Sequence, residues 1–266
     1  MFSFSRENTG LIAKWWRNID KQILLLFIFL LFLGLFFSFS STSPVVGEKM
    51  NKQTYFFFIK HFVFVCISLT LLFVISIQES NKLIKILFFL FFISVLILAL
   101  VPIFGIEIKG SKRWMDFYIL PIFQPVELVK PLFIIFITKI ITQNEKDNIY
   151  LRYLYSFLVL LLIVAFLVNQ PDLGQTLLLV SVWATMIFVS GFNMVLLLMF
   201  GLAFLSIIVL LIFFFPEKFG YIFSRVKTFI DPKAGDNFQS QKALDAIKQG
   251  GLTGRGMGEG ILKDKV

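Results

Sequence analysis

The 266-residue chain is poor in the residues that carry much soluble chemistry: it has one cysteine, one histidine and only 15% charged positions. A single thiol, Cys66, excludes an internal disulfide, and His61 as the sole imidazole leaves no His/Cys cluster at metal-ligand spacing. Zinc chemistry and Ser-His or Cys-His catalysis lose their ligands and bases by the same count. The scarcity of charge excludes a soluble domain, since such domains run at about 45–50% apolar and about 25% charged. Here 58% of residues are hydrophobic and 36 are phenylalanine. No core of this size buries so much apolar surface, so the apolar solvent must be lipid. The net charge of +9 raises the question of nucleic acid, but the lysines and arginines flank apolar runs and form no basic face of their own. An anionic membrane surface or lipid headgroup is the partner this pattern fits, with no nucleic acid.

Seven apolar runs are visible: Ile23 to Phe39, Phe62 to Ile77, Ile86 to Phe104, Leu128 to Ile141, Tyr153 to Val168, Leu173 to Phe192 and Met194 to Phe215. The fourth and fifth are short. Lipid satisfies no backbone N–H or C=O, so the runs read as helices, and they lack the alternation of barrel strands. The first is too long and too polar upstream for a cleaved signal peptide, and Trp15 and Trp16 suit the headgroup level. The expected fold is an all-α polytopic membrane protein: a cytoplasmic arm over 1–22, a seven-span domain over 23–215, and a polar, glycine-rich periplasmic loop over 216–266. A slight excess of Lys and Arg on the N-terminal side sets the N-terminus in the cytoplasm and the C-terminus outside.

Three polar constellations fall on the outer side. Lys112, Arg113 and Trp114 follow the third run, and Gln124-Pro125-Val126-Glu127-Leu128-Val129-Lys130 opens the fourth. Two readings of Lys112 and Arg113 stay open: they snorkel to the headgroups, or they hold a diphosphate by charge-assisted hydrogen bonds. Trp114 stacks on a sugar or lies at the interface. Gln124, Pro125 and Glu127 resemble a helix N-terminus, with Pro at the first position and a carboxylate at the third. Lys130 lies one turn on, where an i,i+3 pair with Glu127 would neutralise both. An ionisable pair at the start of a span is equally a candidate for function. The second constellation is Gln170-Pro171-Asp172-Leu173-Gly174-Gln175, in which Asp172 and Gln175 read as a capping box. The third runs from Arg225 through Phe229-Ile230-Asp231-Pro232 to the glycines between Gly250 and Gly260. Rossmann and Walker readings of those glycines fail, because no strand precedes them and no G-K-[ST] follows. The seventh run lacks a lysine, which excludes a retinal Schiff base, and span interiors almost without charge supply no ion relay. His61, at the border of the second run beside Lys60, reads as an interfacial residue.

In this order the constellations resemble the SEDS family of cell-wall proteins, and within it the branch that serves cell division. The matches are G-[SA]-[KR]-R-W at Gly110 to Trp114, F-Q-P-x-E-x-x-K at Phe123 to Lys130, Q-P-D-L-G-Q-T at Gln170 to Thr176, and F-I-D-P with G-G-x-x-G-R-G at Phe229 to Gly256. The resemblance covers the first seven of the family's ten spans and the following loop. It implies a peptidoglycan glycosyltransferase of the inner membrane that polymerises lipid II beside a penicillin-binding transpeptidase of class B and other division proteins. Lys112, Arg113, Lys130 and Arg225 are then expected at the diphosphate, Glu127 and Asp172 in polar positioning, and Trp114, Gln124, Gln170 and Gln175 around the substrate. No cofactor is implied, and a divalent metal stays open.

In the family the catalytic aspartate lies in a P-x-x-H-T-D segment after the glycine-rich stretch, and the sequence reaches Lys265 and Val266 before it. No catalytic residue is assigned for that reason, and the 266-residue chain is expected to be inactive or nearly so. Robust lipid II polymerisation by the purified chain would refute this. Two further readings carry different expectations. A non-catalytic division scaffold would keep its transpeptidase after Lys112 and Arg113 are changed to alanine, and a lipid II flippase would move headgroups without making polymer.

Overall fold

The computed structural model describes residues 10–41, 55–108, 111–117, 121–142, 148–214, 216–231, 238–251, 253, 254 and 256. Among them the order is α1 (Leu11–Asn18), α2 (Lys21–Ser41), α3 (Phe56–Ile77), α4 (Ser80–Phe104), β1 (Ile106–Ile108), β2 (Ser111–Trp114), α5 (Pro125–Thr142), α6 (Ile149–Asn169), α7 (Leu173–Val189), α8 (Met194–Phe214), α9 (Pro216–Ile230) and α10 (Phe238–Gly250). Every apolar run of the sequence is a helix, α2 to α8, which is the all-α polytopic membrane fold expected. Five of them, α2, α3, α4, α6 and α8, are long and apolar enough to cross a membrane. The other two fall short for different reasons. Helix α5 has 18 residues but carries Glu127, Lys130 and Lys139, and α7 has only 17.

The fifth run is longer than its apolar residues suggested. Asn148 caps α6, its Oδ1 accepting from the Tyr150 amide at 3.0 Å, so the helix starts at Ile149 and reaches 21 residues. The segment expected as a glycine-rich loop holds two helices, α9 and α10, before Gly251, Gly254 and Gly256 take positive φ.

The chain divides into two compact units, Ser80–Phe229 and Met1–Glu79 with Ile230–Val266. In the first, the buried residues recur at helical spacing: Phe91, Ser94, Leu98 and Val101 on α4; Val126, Val129, Phe133, Phe136 and Ile137 on α5; Tyr153, Ser156, Leu160, Ile163 and Leu167 on α6; Thr176, Leu179, Trp183 and Ile187 on α7. Helices of uniformly apolar composition thus still single out one face for each other and leave the rest to lipid. Phe136 stacks on Phe91 at 4.2 Å and on Phe88 at 4.5 Å, joining α4 to α5. Hydrogen bonds supply what apolar burial does not between helices in lipid: the Trp183 indole donates to Ser156 Oγ at 3.1 Å, and Tyr153 Oη donates to the Ser190 carbonyl at 3.2 Å.

In the second unit α2 and α3 run antiparallel. Phe39 near the end of α2 meets Tyr55 and Phe58 at the start of α3. Midway, His61 packs beside Gly34, its Cε1 3.7 Å from where a Cβ would stand, which is ordinary contact distance. The far end of α3 receives α1, as Trp15 packs edge-on to Phe73 and donates to Ser76 Oγ at 2.7 Å.

Candidate functional site

The polar residues singled out by the sequence converge within the Ser80–Phe229 unit, and short irregular elements aim them. Strands β1 and β2 pair antiparallel with Ile106 opposite Trp114, Glu107 opposite Lys112 and Ile108 opposite Ser111. That register skips Arg113, which is the extra residue of a β-bulge and is turned out of the ladder. Gly105 seats the hairpin on α4: a Cβ there would lie 2.4 Å from the Val101 carbonyl oxygen and 3.2 Å from that of Trp114. Beyond the hairpin Met115, buried, pairs through its backbone with Phe123 at 2.9 and 3.2 Å. This bridge delivers Gln124 to the start of α5.

Helix α5 begins as the sequence reads, with Pro125 first and Glu127 in its opening turn, whose amide donates to the Gln124 carbonyl at 3.0 Å. The Glu127–Lys130 pair forms across one turn, Oε2 to Nζ 2.7 Å. The capping box at α7 does not form. Asp172 stands at the N-cap, but its side chain makes no capping hydrogen bond. Its Oδ2 accepts from Gln124 Nε2 at 2.8 Å, and its Oδ1 lies 3.8 Å from Arg113 Nη1. The helix's first turn is closed instead by the Asp172 carbonyl, which accepts from the Thr176 amide at 3.1 Å and its hydroxyl at 2.8 Å. Gln175 likewise turns away from the cap, its Nε2 donating to Glu127 Oε1 at 3.0 Å. Cross-helix partners for the buried Asp172 carboxylate and the half-buried Gln175 outweigh a local cap that backbone groups can replace.

Arg113 is the clamp of this arrangement. Its Nε donates to the Gln170 carbonyl at 3.0 Å and its Nη2 to the Pro171 carbonyl at 2.5 Å, beside the Asp172 carboxylate. The guanidinium fork reads three consecutive residues at once, which an ammonium cannot. Two linked sets result: Arg113, Asp172 and Gln124, and Lys130, Glu127 and Gln175. Asp172 and Gln170 are buried, whereas the Glu127 side chain is 53% exposed. Gln175 Oε1 is buried without a hydrogen-bond partner, and because a carboxylate can only accept, the amide orientation that leaves it open is fixed by Glu127.

The remaining sequence candidates fall around this core or away from it. Lys112 is exposed opposite Glu107 in the ladder, and Trp114 is half-buried at the base of the hairpin. Arg225 sits on α9, and its side chain lies outside the described residues. Among the described residues no group of three or more His, Cys, Asp or Glu could hold a metal ion.

One pairing escaped the sequence entirely. Gln170 Nε2 donates to the Leu98 carbonyl at 3.1 Å, in a buried position 72 residues away. Residue 102, which would normally supply that carbonyl's helical donor, is a proline without an N–H. Gln170 therefore completes α4. Replacing Gln170 by leucine keeps the bulk and removes the donor, so it is expected to cost about 1–3 kcal/mol through the orphaned carbonyl, read as a lower midpoint of detergent unfolding; an unchanged midpoint would show that water takes the donor's place.

A family model described as "Cell cycle protein" and covering FtsW, RodA and SpoVE matches residues 21–266. The chain is 28% identical over 265 residues to a probable peptidoglycan glycosyltransferase FtsW of Caulobacter vibrioides, covering 99% of this chain and 66% of the relative. The FtsW of Haemophilus ducreyi is 34% identical over 252 residues, 92% of this chain and 61% of the relative. The chain thus spans about two thirds or less of the curated relatives it matches. Among solved structures, one of a peptidoglycan synthase complex that coordinates polymerization and crosslinking matches with TM-score 0.66 and 26% identity, over 90% of this chain and 68% of that one. A variant of the Thermus thermophilus rod-shape-determining protein RodA matches with TM-score 0.58 and 27% identity, over 71% and 60%.

Proposed function

Because the chain belongs to the FtsW, RodA and SpoVE family of cell cycle proteins, we propose that it contributes the substrate end of a peptidoglycan glycosyltransferase that polymerises lipid II during cell division. The observation that carries the reading is the cluster itself. Three stretches distant in sequence, Arg113 on the hairpin, Gln124 to Lys130 on α5 and Gln170 to Gln175 at the α6–α7 turn, are cross-linked by charge and hydrogen bonds at one end of four helices. Such a site fits a substrate with a polar sugar, an anionic diphosphate and an apolar tail that stays in the bilayer.

In the proposed reaction the 4-hydroxyl of one lipid-linked sugar attacks the anomeric carbon of the growing chain. Undecaprenyl diphosphate leaves and the anomeric centre inverts. Cations near the leaving group stabilise the charge that develops there. Lys130, beside Glu127, and exposed Lys112 are the cations free of the Arg113 clamp and are proposed for that role. Arg113 and Asp172 act one step back, by holding Gln124 and the α6–α7 turn in place. The open Gln175 Oε1 is suited to accept from a sugar hydroxyl or amide. No base for the attacking hydroxyl is assigned among these residues.

The protein is proposed to sit in the inner membrane with its N-terminus in the cytoplasm, which puts the cluster at the outer surface. A class B penicillin-binding transpeptidase is its proposed partner, a reading supported by the synthase complex that the fold resembles. The test is polymerisation of fluorescent lipid II by the gene product expressed from its own locus and purified with that transpeptidase. Glycan polymer is expected, and Lys112→Ala is expected to raise the KM for lipid II about tenfold, the effect of one lost charge-assisted contact, with an unchanged unfolding midpoint. A Lys112→Ala enzyme with unaltered KM would remove Lys112 from the diphosphate site, and headgroup translocation without polymer would replace the whole reading by that of a flippase.

A further inference from the structure

The end of the Ser80–Phe229 unit opposite the polar cluster has a charge pattern of its own. The carboxylates whose side chains are described in that unit, Glu107, Asp116, Glu127 and Asp172, follow the end of α4 or open α5 and α7. At the other end stand Lys85, in the second turn of α4, and Lys139, in the last turn of α5. Both are exposed, and among the described residues neither ammonium has an ion-pair or hydrogen-bond partner. The charged groups near them in sequence are engaged elsewhere. Glu79 and Lys82 already have partners, and Arg152 Nη1 closes the end of α5 by donating to the Ile141 carbonyl at 2.6 Å.

The two lysines share one level. Helix α5 runs back along α4 after the hairpin, and Phe136 stacks on both Phe88 and Phe91. One turn outward from these rings leads to Lys85, three residues before Phe88, and to Lys139, three residues after Phe136. That level is the border of the hydrocarbon. The chain from Ile86 to Phe104 carries no charge, and at helical rise it spans about 28 Å against a hydrocarbon core of about 30 Å. Toward the bilayer centre, Phe89, Phe92 and Leu96 continue the face of Lys85 at helical spacing, and they are 66%, 54% and 61% exposed.

We propose that Lys85 and Lys139 form a binding site for the phosphate of an anionic phospholipid, whose acyl chain lies along Phe89, Phe92 and Leu96. The occupant follows from charge complementarity and depth. Two ammonium groups without carboxylates of their own stand where the bilayer places its phosphodiesters, and they meet that charge through charge-assisted hydrogen bonds. Each cation near an anionic surface favours association by roughly fivefold. The apolar stripe below Lys85 selects a lipid over a soluble phosphate ester. The site lies at the far end of the helices from the polar cluster and does not depend on the glycan chemistry proposed above.

The test uses the whole chain reconstituted in phosphatidylcholine vesicles containing phosphatidylglycerol, with trace photoactivatable versions of each lipid. Crosslinks are mapped by peptide mass spectrometry. On residues 80–96 and 132–142, phosphatidylglycerol is expected to be preferred at least about fivefold at low salt, and the preference should shrink in 1 M salt, where the screening length falls to about 3 Å. Lys85→Gln with Lys139→Gln should bring the two lipids close to parity there, whereas Lys85→Arg with Lys139→Arg, which keeps both charges, should retain the preference. Millimolar glycerol phosphate should leave the crosslinks unchanged; if it displaced the lipid, the site would be one for a soluble phosphate and the proposal would fall. A wild-type chain without preference on these segments also overturns it, and would leave the two lysines to a protein partner. A double glutamine variant that keeps the full preference overturns it as well, by assigning the preference to other cations.

Discussion

Arg113→Ala is expected to lower the stability of the protein by about 3 kcal/mol, the low end for breaking a buried ion pair. The residue makes two hydrogen bonds to the α6–α7 turn and faces the Asp172 carboxylate, and their side chains are 23% and 9% exposed. Alanine leaves a buried carboxylate with Gln124 as its remaining side-chain donor, and it leaves the carbonyls of Gln170 and Pro171 without theirs. The partial exposure of Arg113 keeps the figure from rising further, because water can reach part of the vacated space. Arg113→Lys should recover less than half of the loss, since one ammonium cannot serve three acceptors in a fork. Denaturation in mixed micelles, followed by tryptophan fluorescence, reads the effect directly. A loss below about 1 kcal/mol, the worth of a surface pair, would mean that Arg113 is not the clamp.

For Lys130 the expectation is reversed. Lys130→Ala should leave the unfolding midpoint within about 1 kcal/mol of wild type, because its partner Glu127 is more than half exposed and pairs of that kind contribute little. Polymer formation should fall by about 10²–10³-fold, as when one preorganised donor to developing charge is removed. Glu127→Gln is expected to be milder in stability and comparable in activity: an amide can still meet Gln175, but Lys130 loses the carboxylate that positions it. Both variants are read on fluorescent lipid II in the gene product, beside a parallel unfolding curve. If Lys130→Ala destabilised the fold as Arg113→Ala does, the pair would be structural and the site would have to be sought elsewhere.

The contrast between these two residues marks how far the sequence could be read. Apolar runs identify α2 to α8 because membrane helices must be apolar nearly all round, and Pro125 with Glu127 announces the start of α5. The hairpin was not legible: β1 and β2 have seven residues between them, and the bulge at Arg113 has no composition signal. Nor could the sequence decide the fate of Asp172. Its spacing from Gln175 is that of a capping box, and only the arrival of Arg113 and Gln124 from elsewhere makes a better partner for the carboxylate. Local patterns were reliable where a distant partner took a separate atom, as Gln175 takes Glu127 Oε1 and leaves Oε2 to Lys130, and failed where tertiary partners claimed the capping group itself.

The proline in α4 has a consequence for the order in which the molecule is assembled. Ribosomal synthesis delivers α4 to the bilayer with the Leu98 carbonyl still open, and the amide that closes it is made 72 residues later. Hydrocarbon offers that oxygen nothing, and an unmet backbone group there costs several kcal/mol. Until the α6–α7 turn arrives, α4 is a helix in search of a donor, in a solvent where apolar contact alone gives helices little reason to associate. Pro102 thereby turns a defect in one helix into a recruitment signal for another. The same amide that answers it anchors the turn carrying Asp172, so completion of the bundle and construction of the polar cluster become a single late event in biogenesis.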